Sequence, residues 1–236
     1  FVVDTTIPWS QESYIKASNN AASDGFGTSV SISKDTLAVG AIGEDSDQIT
    51  ITNSTTSSTN NDNSGSGAVY VYERSGTSWV QDAYIKASNS EASDSFGHSI
   101  SIDEDTLAVG AIGEDSIQTT ITNGMTSSDN NSNDAAGAVY VYKRYGGFWI
   151  QEAYIKAANS DNGSNFGHSV SLDGDTLAVG AIGDNSSQQT ITNGTTADED
   201  NSSHSSGAVF VYKRSGTSWA QEAYIKAANA DNDSNF

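Results

Sequence analysis

Phe96-Gly97-His98-Ser99-Ile100-Ser101-Ile102 opens a stretch that runs through Asp105-Thr106-Leu107-Ala108-Val109-Gly110-Ala111-Ile112-Gly113 and Gly137-Ala138-Val139-Tyr140-Val141-Tyr142 to Trp149. The same words begin at Phe26 and Phe166, and another begins at Phe236, the last residue. Trp9, Trp79, Trp149 and Trp219 keep the same 70-residue spacing, with no insertion. A fixed period of this kind is the mark of a repeat architecture. The chain divides into an N-terminal edge and partial repeat (1–25), repeats over 26–95, 96–165 and 166–235, and the start of a further repeat at 236. Residues 1–8 match the repeat poorly and hold the only proline, Pro8, as expected of a capped edge. Asn235-Phe236 stops inside the motif. The expectation is that the native protein runs on, or that the missing strand comes from elsewhere.

Each repeat offers four strands. In the first, Phe26 to Ile32 alternates, with Phe26, Thr28, Val30 and Ile32 on one face. Thr36 to Ile42 is apolar on both faces. Leu37, Val39 and Ala41 point one way, and the small face of Ala38, Gly40 and Ile42 predicts close approach to a second layer. Ala68 to Tyr72 sets Val69 and Val71 against Tyr70 and Tyr72, again doubly buried. A turn at Ser75-Gly76-Thr77 leads to Trp79 and the fourth strand, through Tyr84-Ile85-Lys86-Ala87. No window sustains a 3.6-residue period. The expected fold is all-β, in tandem four-stranded antiparallel blades.

Lys16, Lys86, Lys156 and Lys226 recur in Tyr-Ile-Lys-Ala and read as stems over apolar surface with the ammonium in water. Arg74, Arg144 and Arg214 flank the last turn, where their charges can stay solvated. Between the second and third strands lie long polar segments, roughly 44–66, 114–136 and 184–206. Their starts alternate (Ile49, Ile51) and could form a short hairpin arm. Their Ser/Asn/Asp/Thr-rich second halves cannot bury enough to fold alone. Surface loops of constant length are where function would concentrate.

The formal charge is −20, from 30 acidic and 10 basic residues. This excludes a nucleic-acid partner, whose phosphates require Lys and Arg, and disfavours an anionic membrane. No apolar run is long enough to span a bilayer, so no membrane insertion is expected. There is no cysteine, which a repeat array, stabilised through its neighbours, does not require. No basic-plus-apolar leader opens the chain, which reads as mature or trimmed. No catalytic constellation is present. His98 and His168 follow Phe-Gly, but Thr28 fills that slot in the first repeat, which reads as a strand position. Asn-X-Ser/Thr occurs at Asn53, Asn130, Asn162, Asn185, Asn193, Asn201 and Asn232, candidate glycosylation sites in a secreted protein.

Phe-Gly-His-Ser-Val-Ser, Leu-Ala-Val-Gly-Ala and Gly-Ala-Val-Tyr-Val-Tyr followed by Trp resemble the FG-GAP repeat, found in the β-propeller head of integrin α chains and in bacterial surface proteins. The resemblance covers nearly the whole chain from Trp9. It implies β-propeller-like blades, forming part of a closed propeller or an open linear stack. Three near-identical copies fit the stack, where every repeat sees the same neighbours. Integrin-type blades often carry a calcium loop between the first two strands. Here that place holds Asp103 and Asp105, and Asp173 and Asp175, candidate calcium ligands that fall short of the six to eight oxygens calcium takes. Asp45 and Asp115, after the second strand, are the alternative ligands. The resemblance implies a non-enzymatic, extracellular or cell-surface protein, structural or adhesive. Self-association through repeat stacking is expected, with a protein or carbohydrate ligand. The alternatives are a cation-assisted, ligand-binding propeller domain or an accessory domain of a larger secreted protein.

Overall fold

A computed structural model describes residues 10–229. The divergent edge Phe1–Pro8, Trp9, Asn232 and Phe236 lie outside them. The described residues form strands and turns with no helix. The first sheet holds β1 (Phe26–Ser33), β2 (Thr36–Ala41), β3 (Ala68–Ser75) and β4 (Ser78–Ile85), in that spatial order. The second holds β5 (Phe96–Asp103), β6 (Thr106–Ala111), β7 (Thr122–Asn123), β8 (Ala138–Tyr145) and β9 (Phe148–Ile155), ordered β5-β6-β8-β9-β7. The third holds β10 (Phe166–Asp173), β11 (Thr176–Ala181), β12 (Ile191–Asn193), β13 (Ala208–Ser215) and β14 (Ser218–Ile225), ordered β10-β11-β13-β14-β12. All pairings within the sheets are antiparallel. The start of the polar segment forms no hairpin of its own. It pairs along the outer strand instead, Thr122 against Tyr154 and Ile191 against Ile225.

Each sheet presents two unlike apolar faces, because alternation sorts its residues by size. The trailing face of the first repeat carries Ala38, Val69, Val71, Ala83, Ile85 and Ala87. It packs on the leading face of the second, where Phe96, Leu107, Val109, Tyr140, Tyr142, Trp149 and Tyr154 are buried. The next junction repeats this, with Ala108, Val139, Val141, Ala153 and Ile155 against Phe166, Leu177, Phe210, Tyr212 and Trp219. Large rings fill the space that small residues leave. Phe96 meets Tyr140 edge-on at 5.3 Å and Phe166 meets Phe210 likewise at 5.3 Å, the geometry their quadrupoles favour. On the first leading face Ile15 and Ala17 pack with Tyr70, Tyr72 and Tyr84, while Val30 and Ile32 in β1 are 64% and 61% exposed, against 9% and 6% for Ile100 and Ile102.

The layers meet most closely along β1, β5 and β10. Ser29 Oγ donates to Gly97 O at 2.6 Å, and Ser99 Oγ to Gly167 O at 2.6 Å. The amides of Ile102 and Leu172 donate to Ser31 Oγ and Ser101 Oγ, each at 3.0 Å. Isolated parallel bridges join Gly67 to Phe96 and Gly137 to Phe166. The alternation expected over Phe26 to Ile32 is broken by a bulge. In the second repeat Phe96 pairs with Ala111 while Ser99 pairs with Gly110, so Gly97 and His98 have no cross-strand partner. Thr28 and His98 therefore leave the apolar face, as bulge residues do.

Gly110 explains the small face of the second strand. A Cβ there would stand 2.1 Å from Gly167 O, and at Gly40 one would stand 2.2 Å from Gly97 O. At Gly180 the nearest obstacle is the Ser169 hydroxyl, at 2.4 Å, which can rotate away. Gly110→Ala is expected to cost about 3 kcal/mol of unfolding free energy through overpacking, and Gly180→Ala under about 1 kcal/mol. Denaturant titration of the two variants checks this; equal losses would contradict it.

Candidate functional site

The polar segments are anchored by a buried carboxylate in each repeat. Glu114 lies just past β6, with both oxygens out of water. Lys156, just past β9, donates to its Oε2 at 2.6 Å. Tyr154 donates to Oε1 at 2.6 Å, as does Asn89 of the preceding repeat at 3.0 Å. The Ser116 amide completes the set at 3.2 Å. Asn89 Oδ1 in turn accepts from Tyr140 at 2.6 Å. The same station recurs with Glu44 and Lys86 at 2.9 Å, and with Asp184 and Lys226 at 2.9 Å. Lys86, Lys156 and Lys226 thus keep no ammonium in water, contrary to the sequence expectation. Each sits where the fourth strand dives under the polar segment, and a carboxylate replaces its hydration. Burial lowers the affinity of Lys86 and Lys156 for their protons, and the facing glutamate opposes this. Lys16 remains exposed.

From this anchor the polar segment is laid down over the sheet. Asn133 N donates to Asp115 O at 2.8 Å, and Gly137 N to Glu114 O at 2.8 Å. Gln151 Nε2 reaches Thr126 O at 3.2 Å, and Asn89 Nδ2 reaches Ser128 O at 2.7 Å. The low-complexity half is therefore ordered by side chains from the sheet and the preceding repeat, although its own composition supplies no core.

A second device crosses each junction. Asn53 Oδ1 accepts from Trp149 N at 2.7 Å while its Nδ2 donates to Trp149 O at 3.1 Å. Asn123 holds Trp219 in the same way, at 2.7 and 3.2 Å. Arg144 and Arg214 lie over the rings of Trp149 and Trp219, each 5.4 Å from the ring centre. Their charges are not left to solvent. Arg144 pairs with Asp105 and with Glu73 of the preceding repeat, and Arg214 with Asp175 and Glu152.

The candidate ligands of the short turns are engaged separately. Asp105 Oδ1 accepts from Arg144 at 2.8 Å and Asp175 Oδ1 from Arg214 at 2.7 Å, which holds the Asp175 carboxyl below its ordinary value. Asp103 Oδ2 accepts from Gly174 N across the junction at 2.8 Å, and Asp173 is exposed. Asp45 and Asp115 each accept a backbone amide of their own loop, from Gly65 and Ala135, at 2.7 Å. Among the described residues no three His, Asp or Glu side chains converge as metal ligands would. Of the sequon residues, Asn130, Asn162, Asn193 and Asn201 are exposed. Asn185 accepts from Ser205 N at 2.8 Å, and Asn53 is held by Trp149. Sequence reasoning passed over Asn89, Gln151 and Ser116. Their signal was strict recurrence: Asn19, Asn89 and Asn159, or Gln81, Gln151 and Gln221, stay in step while the residues around them drift.

The molecule is thus a tandem array of antiparallel blades joined by a repeating polar and aromatic seam. The family model of the FG-GAP repeat matches residues 9–72, 79–142 and 149–212, and the chain belongs to this family. No curated protein matches the chain.

Two changes probe the seam. Lys156→Met strands the Glu114 charge and is expected to cost about 3–5 kcal/mol, read from the denaturation midpoint. Asp94 is 4% exposed, and burial, with Glu114 and Asp115 nearby, pushes its carboxyl up to about 8 from 3.8. The unfolded chain loses this proton near 3.8 and the folded chain keeps it to about 8, so this residue's contribution to stability falls as pH rises across that window. Asp94→Asn keeps an acceptor for Glu91 N and is expected to flatten that fall, with the gain in stability largest above pH 8. Denaturation midpoints measured from pH 5 to 9 check this.

Proposed function

We propose that the chain is a structural or adhesive, non-enzymatic array segment of an extracellular or cell-surface protein. Stacked repeats build a stiff scaffold, and the anchored polar loops meet a protein or carbohydrate partner. The observation that carries this is the sameness of the two junctions. Ser29–Gly97 and Ser99–Gly167, Asn53–Trp149 and Asn123–Trp219 are one interface used twice. A head-to-tail interface that recurs builds a line, or a ring where its rotation closes; the near-identity of the repeats favours the line, and further repeats, or another copy presenting the same faces, add to it by self-association. Exposed Asn130, Asn162 and Asn201 suit glycosylation of the loop surface.

The test is growth with repeat number. Chains of three, five and seven repeats are expected to lengthen by equal steps in small-angle scattering, and to appear as rods by negative-stain electron microscopy. Discs at seven repeats would replace the array with a closed propeller.

A further inference from the structure

The bulge that breaks β5 and β10 has a chemical consequence. It takes His98 and His168 off the apolar faces, their amides bonding back to Ser95 O and Asn165 O at 3.1 Å. The two strands lie side by side across the junction, so the two imidazoles meet. Their ring centres are 5.1 Å apart with planes tilted by 50°. Both residues are partly exposed. Among the described residues, no ring nitrogen of either makes a hydrogen bond. Two free imidazoles facing each other from rigid strands are a preorganised pair of nitrogen donors.

We propose that His98 and His168 form a binding site for a borderline divalent transition metal, with zinc the fitting ion, clasping the second repeat to the third. The separation supports this. A zinc–imidazole bond is about 2.0–2.1 Å, and a ring nitrogen lies about 1.1 Å from its ring centre. Each centre would then stand about 3.2 Å from the ion, and a tetrahedral angle sets two such centres about 5.2 Å apart. Two parallel stacked rings would not aim nitrogens at a common point; a 50° tilt is compatible with it. Water fills the remaining two positions. Imidazole selects zinc, copper or nickel over calcium, which takes oxygen ligands. The acidic chain raises the local concentration of any cation, but the pair decides which one stays. Judged singly, a His replaced by Thr28 looks dispensable. Judged as a pair, it marks which junction is clasped: the first, with Thr28 opposite His98, has no site.

The test is thermal unfolding and calorimetric titration of the whole chain with zinc chloride, against calcium chloride. Zinc is expected to bind once per chain and raise Tm by several degrees, with the gain lost in His98→Thr and His168→Thr and retained in His204→Asn. His98→Thr places the residue that the first repeat already carries there, so it folds. Imidazole proton signals of the wild-type chain are expected to shift on zinc addition for His98 and His168 together. An equal Tm gain in His98→Thr, an equal gain from calcium, or no shift of the two imidazoles would each overturn the site.

Discussion

A carboxylate with no route to water sets the terms for each repeat. Glu114 must be met on both oxygens, and the groups that meet it come from the outer strand, the polar segment and the preceding repeat. Burying an ion pair is seldom a source of net stability, but breaking one is costly. The network therefore acts as a registration device. A loop threaded otherwise, or a neighbouring repeat shifted by one residue, would leave a charge unpaired in the interior. The apolar faces supply the bulk of the packing, and the carboxylate decides which packing is allowed.

Much of the architecture was legible because β-structure sorts side chains by parity. Ala38 and Gly40 against Leu37 and Val39, and Val69 against Tyr70, announced two faces of unequal size, and the glycine contact with the next repeat follows directly. What could not be read was depth. In Tyr-Ile-Lys-Ala, nothing local distinguishes a lysine that snorkels from one that is sealed, because its partner lies 42 residues away, past a loop. The same offset joins Glu44 to Lys86 and Asp184 to Lys226, so the signal lay in the pairing and not in either residue. The order of the polar loops was hidden for a related reason. Their composition describes what they can bury themselves, whereas Gln151 and Asn89 order them from outside. The bulge was hidden because His98 and Thr28 look like ordinary members of an alternating strand.

The repeats also show how much variation the seam absorbs. Asp184 replaces glutamate in the third repeat, and Asn159, Tyr224 and Lys226 still close on the shorter side chain at 2.8, 2.8 and 2.9 Å. Ser66 and Ser206 give the lysine a second partner, at 2.7 and 2.6 Å, where the second repeat has Ala136. Arg144 finds Glu73, while Arg214, whose corresponding neighbour is Lys143, turns to Glu152. What persists is the sign of the charge and its burial; the length of the side chain and the choice among nearby acceptors are free.

The asparagine clamp bears on a hazard common to all sheets. The outermost strand of each blade has unpaired amides and carbonyls that could template a foreign strand. At Trp149 and Trp219 that edge is closed by a side-chain amide, which offers one donor and one acceptor as a passing strand would. Beside it, the short β7 and β12 arms occupy the next positions. A polymer of such blades multiplies edges with every unit added. At both of these junctions a single residue from the unit before plugs the edge and removes unpaired groups on which amyloid-like pairing would start.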